Sequence, residues 1–200
     1  MPQETPTRGQ RTRNAIIRAA HRLFVKQGYH GTSMRQIAKQ ADIALGGIYN
    51  HFAGKENIFH AVFLEYHPYH EVLPALEAAQ GESVEEFVRD AASQMLNALK
   101  RRPDFLNLMF IEIVEFESVH VHELFANIMP RGVKIVQSIL SKEGQIRPIP
   151  PVMIMRNFIG LFFSYHITEV ILGPEAPPEF QENAMQHAVD IYLYGILSRD

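Results

Sequence analysis

Apolar residues along this chain recur at intervals of three and four, the repeat that lines one side of an α-helix, and no alternating run is long enough to demand a strand. Over residues 11–27, Ile16, Ala20, Leu23 and Phe24 share one face, and Gly28 supplies a stop. Ser33, followed three residues later by Gln36, reads as a capped helix start, with Met34, Ile37, Ala38 and Ala41 behind it at helical spacing. The short connection "DIA" then leads to a third helix over residues 45–52, where Leu45, Ile48 and Phe52 stand at i, i+3 and i+7. Two short helices joined by a tight turn behind a longer one spell a helix-turn-helix. The chain is therefore expected to be all-α.

The same periodicity predicts a fourth helix over residues 55–79, bent at Pro68 and Pro74, then helices over 84–100, 103–115, 122–141, 152–172 and 178–197. Proline-rich loops, "RPIPP" and "GPEAPPE", precede the last two. A hydrophobic content of 46% in 200 residues is enough for a real core. There is no cysteine, so neither a disulfide framework nor thiolate chemistry is available. The first residues are polar and basic, and the longest apolar stretch is interrupted by Arg156, Asn157, His166 and Glu169. A soluble protein of the cytoplasm is expected, with no signal peptide and no membrane span.

Charge is distributed unevenly. Residues 1–56 hold nine basic and three acidic side chains, a balance of +6 that leaves −9 on the rest of a chain whose net charge is −3. A basic head on an acidic body suits a polyanion at one end only. Within the basic part, Gly46 and Gly47 sit side by side in the first turn of the third helix. Each glycine there costs about 1 kcal/mol relative to alanine, so the pair implies an outside body that approaches the backbone closely.

The segment "AAHRLFVKQGYHGTSMRQIAKQADIALGGIYNHFAGKENIF" carries these features in register: the Gly-Tyr end of helix one, the Gly-Thr-Ser start of helix two, and "IYNHFAGKE". Over residues 11–65 it resembles the DNA-binding domain of the TetR family of bacterial transcriptional regulators. The resemblance implies domains at 1–54, a helix-turn-helix with a basic N-terminal arm, and at 55–200, a helical effector-binding and dimerisation domain; Arg8, Arg11 and Arg13 are expected either on an arm that reaches phosphates or a minor groove or on a disordered tail. It also implies that helix three enters the major groove of double-stranded DNA by its N-terminal end. Where the family pattern often has a serine and then a polar residue, this chain has Ala44 and Leu45. Readout is thus expected from Leu45 against thymine methyls, from close approach at Gly46 and Gly47, from Asn50 on adenine and from Arg35 on guanine. Thr32 or Ser33, Tyr49, His51 and Lys55 are expected to clamp phosphates, although Ser33 can equally cap its own helix.

For the acidic body, the resemblance implies a small-molecule effector site. Candidate lining groups are Phe105, Met109, Phe110, Glu112, Phe116, Phe158, Phe162, Tyr165, His166 and Glu169, a set whose glutamates would favour a cationic or hydrogen-bond-donating effector. The stretch "VMIMRNFIGLFFSYHITEVIL" is apolar on nearly all sides. Together with Ala188, Ile191, Tyr192 and Gly195 of the last helix it is expected to form a homodimer interface.

A ferritin-like metal oxidase needs two Glu-x-x-His motifs and two further glutamates, and only Glu117 to His120 has that spacing. No catalytic residue, metal or cofactor is expected. A helical interaction module whose basic head binds an acidic partner would explain the charge split, but not the glycine-opened helix. The reading that covers both is a sequence-specific transcriptional regulator, a repressor acting on an inverted-repeat operator and released by an effector.

Overall fold

A computed structural model describes residues 6–198. The described residues form helices α1 (Arg8–Gln27), α2 (Met34–Gln40), α3 (Leu45–Tyr49), α4 (Lys55–Tyr66), α5 (Tyr69–Glu77), α6 (Val84–Lys100), α7 (Phe105–Glu115), α8 (Val119–Leu140), α9 (Pro151–Leu172), α10 (Pro178–Gln181) and α11 (Ala184–Ile196), with a 3-10 turn at Gly173–Glu175. No strand occurs among them, only isolated bridges at Ser83 with Glu143 and at Ile146 with Leu197. The chain divides into two compact units: residues up to His67 with Asp104–Leu124, and Pro68–Pro103 with residues from Phe125 onward.

In the first unit α1 begins three residues before its expected start, because Thr7 and Gln10 form a reciprocal capping box. Arg8, Arg11 and Arg13 therefore lie on a regular helix rather than on an arm, and residues 1–5 of the expected domain lie outside the described residues. Ile16, Ala20 and Phe24 are buried as the spacing requires. The unit extends beyond residue 54 because Ile58, Phe59, Val62 and Phe63 of α4 are buried in it. Phe59 stacks on Phe116 after α7 with ring centroids 4.6 Å apart, and meets Phe24 of α1 edge-on at 5.5 Å. Full burial of the Phe24 and Phe59 rings stabilises by roughly 1.5–3 kcal/mol each.

The expected single helix over 55–79 is two helices. His67 ends α4 in an extended conformation (φ −66°, ψ 133°), as steric conflict with Pro68 demands of a pre-proline residue. Pro74, by contrast, is accommodated inside α5. The expected last helix is also broken, at Asn183, which adopts a left-handed φ of 53° and starts α11.

In the second unit α6 carries the strongest local signals: a Ser83–Glu86 capping box, Glu85 and Glu86 in the first turn and Lys100 in the last, matching the helix dipole. Its inner face, including Val84, Val88, Ala92 and Met95, is buried. Arg89 pairs with Glu85 at 2.8 Å and with Asp190 of α11 at 2.7 Å. Gly81 is required by its backbone: at φ +144° a Cβ would stand 2.4 Å from the Phe87 nitrogen.

Candidate nucleic-acid interface

Helix α2 is set by its cap. The Ser33 backbone N–H donates to Gln36 Oε1 at 2.7 Å, and the Gln36 N–H donates to Ser33 Oγ at 3.3 Å. Ser33 is exposed and is thus a capping residue first. Arg35 and Lys39, one turn apart on α2, are both exposed. Thr32 is different: it is 2% exposed, and its hydroxyl donates to the Gly28 carbonyl at 2.9 Å. That corrects its expected role, because an inward-facing hydroxyl bonded within the loop has no access to a phosphate.

Helix α3 is one turn long, shorter than the 45–52 span expected, and closes with His51 and Phe52 N–H groups bonded to the Ile48 carbonyl at 2.8 and 3.0 Å. Ile48 and Phe52 face inward and are buried. Leu45, Gly47 and His51 are half-buried, Gly46 and Asn50 exposed, and the Tyr49 ring is 55% exposed. Ala44 provides no side-chain cap; the Gly47 N–H donates to the Ala44 carbonyl at 2.8 Å, and the Leu45 and Gly46 amides have no acceptor among the described residues. A Cβ built on Gly46 or Gly47 meets nothing within 4 Å. Nothing among the described residues demands glycine at either position.

Lys55 is the second departure. Its Nζ donates to the Tyr29 and Thr32 carbonyls, each at 2.8 Å, and lies 4.1 Å from the centroid of the Tyr29 ring. Burial holds the ammonium below the usual lysine range, partly offset by Glu115. The side chain ties the start of α4 to the loop between α1 and α2, and two of its three donors are used inside the protein. Arg13, over the Phe52 ring at 4.9 Å, is a basic contact of the same unit that periodicity did not single out.

The expected effector-site residues fall into both compact units. In the first, Phe105 is buried and packs edge-on against His67 at 5.0 Å, while Phe116 belongs to the aromatic core with Phe59 and Tyr29. Glu112 is 0% exposed and bonded three times: Oε1 accepts from the His120 and Val121 amides at 2.7 and 3.2 Å, and Oε2 contacts His120 Nδ1 at 2.8 Å. It caps α8 across a turn in which Glu117 and Ser118 both have positive φ. Phe105 is thus a core residue, Phe116 a half-buried ring of the aromatic cluster and Glu112 a helix cap, and because the Glu112 carboxyl is already satisfied inside the protein the argument from it for a cationic effector falls. Met109 is half-buried, and Phe110 projects outward.

In the second unit, Phe158 and Phe162 lie 4.7 Å apart on the inner face of α9, and Tyr165 and Glu169 are half-buried. His166 is buried, its Nε2 has no partner among the described residues, and burial pushes its pKa below the ordinary value. The unit contains a cavity of about 50 Å³ between α5, α6, α8, α9 and α11; of the ten expected residues only Phe158 lines it. On the outward faces, Ile191 and Tyr194 of α11 are each 66% exposed, and Ile159, Val170 and Ile171 of α9 are exposed as well. Ala188 and Tyr192, expected at an interface between copies, are buried within the chain, and the Tyr192 hydroxyl donates to the Ile154 carbonyl at 2.9 Å. Among the described residues no cluster of three or more histidine or acidic side chains could hold a metal, and no helix is long and apolar enough to cross a membrane.

The family profile described as bacterial regulatory proteins of the tetR family matches residues 16–62. An uncharacterised helix-turn-helix transcriptional regulator of Bacillus subtilis, YvkB, is 24% identical over 187 residues, covering 92% of this chain and 97% of its own. The transcriptional regulator UidR of Escherichia coli is 37% identical over 65 residues, 32% of this chain and 33% of its own. A TetR-family transcriptional regulator from Mesorhizobium loti shares the fold with a TM-score of 0.73 at 22% identity, over 96% of this chain and 100% of that one. With the capped helix, the tight turn and the glycine-opened helix in one exposed surface, residues 16–62 match the helix-turn-helix segment of the tetR family of bacterial regulatory proteins, and the chain is a DNA-binding transcriptional regulator.

Proposed function

We propose that the protein is a homodimeric repressor that binds an inverted-repeat operator and is released by a small-molecule effector. The observation that carries the DNA contact is the surface of α3: two glycines surrounded by open space, flanked by exposed Tyr49 and Asn50, with uncapped amides at its start. Small residues let the helix approach base edges, and the amides favour phosphate. Leu45, Gly46, Gly47 and Asn50 with Arg35 of α2 read bases, whereas Tyr49, His51 and Ser33 meet the backbone. Lys55 and Thr32 act behind them by holding the loop that sets α2.

The exposed aliphatic and aromatic side chains on α9 and α11 support pairing of two copies through these helices. Two recognition helices must then enter successive major grooves about 34 Å apart. An effector that alters their separation with a coupling of about 1–3 kcal/mol changes operator affinity roughly 5–150-fold.

The test is selection of bound sequences from a random duplex library by the full-length protein, with dissociation followed at two salt concentrations. An enriched inverted repeat is the expected result. Salt-sensitive binding with no enrichment would instead favour an interaction module with a basic head for polyanions or acidic partners. In the same selection, Asn50→Ala is expected to flatten preference at one base position, and Tyr49→Ala to weaken all sequences alike; an unchanged Asn50→Ala profile would refute that assignment.

Gly46→Ala and Gly47→Ala separate the protein's needs from those of its ligand. Because an added Cβ meets nothing and alanine favours helix, each variant should keep or raise stability by up to about 1 kcal/mol. Operator affinity should nevertheless fall about tenfold or more, as measured by fluorescence anisotropy. Unchanged affinity would mean that DNA does not approach this turn.

A further inference from the structure

The cavity of the second unit is lined by residues including Leu76, Val88, Ala91, Ile135, Met155 and Phe158. No charged side chain lines it, and the hydroxyl of Tyr192, the single polar side-chain group in its wall, is already bonded to the Ile154 carbonyl. An ion entering such a space would lose its hydration without a partner, whereas each buried methylene gains. At about 50 Å³ the space is well below the roughly 300–1,000 Å³ of a ligand pocket, so an occupant has to move part of the wall.

Methionine, unbranched and with three rotatable side-chain bonds, is the most adaptable apolar residue, and one lies in this wall. Met155 of α9 rests directly on α8 at Gly132, where a Cβ would stand 2.4 Å from its Sδ. The absent side chain at Gly132 is what gives the thioether its present seat, beside the cavity that both residues line.

We propose that this cavity takes an uncharged aliphatic molecule and that Met155 is the wall that moves to admit it. The assignment rests on the reading of the protein as effector-released, and it names the chemical class of that effector.

The test uses the full-length protein and calorimetric titration with 1-hexanol, 1-octanol and 1-decanol, alongside octanoate and octylammonium. Affinity should rise about fourfold per methylene through the alkanols until the cavity is full. The two ions should bind at least tenfold more weakly than octanol. Gly132→Ala forces the thioether off α8 and into the cavity, and should weaken octanol at least fivefold. Met155→Ala should move the best-binding alkanol to a longer chain. Cooperative thermal unfolding of each variant shows that it is folded.

Failure of every alkanol to bind, ions as tight as octanol, or an unchanged chain-length profile in Met155→Ala would each overturn the assignment. Anisotropy on the selected operator separates the two layers. Octanol that binds in the expected pattern yet leaves DNA affinity unchanged would sink the release reading and leave the cavity assignment standing. Octanoate or octylammonium that dissociates DNA, with octanol inert, would do the reverse.

Discussion

Glu112→Ala lowers the free energy of unfolding by about 3–5 kcal/mol, the cost expected when a buried carboxyl is removed and two amides and an imidazole lose their partner together. The carboxyl group is fully buried and satisfies the amides of His120 and Val121 as well as the His120 ring. These amides open α8 and have no intrahelical acceptor, so alanine strands two donors away from water and leaves a void beside the aromatic cluster of Phe59 and Phe116. Glu112→Gln retains one acceptor oxygen for the amides, and His120 can present Nδ1 as an acceptor to the new amide group by changing tautomer. Its loss should be about 1–2 kcal/mol. Urea unfolding followed by circular dichroism gives both values from the midpoints at constant slope. A loss below 1 kcal/mol for the alanine variant would show that the cap contributes little.

Glu112 also illustrates what the sequence could and could not convey. Local signals were legible: Ser33 with Gln36 and the i, i+4, i+8 face of Ile16, Ala20 and Phe24 fixed α1 and α2 closely, because capping and amphipathicity act over a few residues. The Thr7–Gln10 box has the same Ser/Thr-x-x-Gln pattern and places the start of α1 at Arg8. Pro68 and Pro74 look alike in sequence, yet only Pro68 ends a helix, a difference set by surroundings rather than by the residue. Phe105, Glu112 and Phe116 on or beside α7 have the composition of a ligand pocket. Their partners, His67, His120 and Phe59, are brought to them by tertiary packing that no spacing rule encodes. In the recognition segment the residue types were readable, but Thr32 and Lys55 were displaced from the expected surface by hydrogen bonds to carbonyls of the preceding loop.

Lys55→Met tests that last point, with an expected loss of about 2–4 kcal/mol in stability and at least tenfold in operator affinity. Methionine keeps much of the apolar stem but removes the donor to the Tyr29 and Thr32 carbonyls and the cation above the Tyr29 ring. The Thr32 carbonyl immediately precedes the Ser33 cap, so its release frees the entry to α2 and the orientation of Arg35 and α3 behind it. Salt dependence distinguishes this positioning role from a phosphate contact. A lysine that neutralises one phosphate contributes about 0.9 to the slope of log Kobs against log salt concentration, and its loss reduces the slope by that amount. A residue that only holds the loop lowers affinity at every salt concentration and leaves the slope where it was. Titrations of wild type and Lys55→Met across a range of salt, with thermal unfolding of the same preparations, give both quantities. A slope reduced by about one unit with unchanged stability would return Lys55 to the DNA backbone. An unchanged slope with a lowered transition would make it the tie that holds the first turn of α2 for recognition.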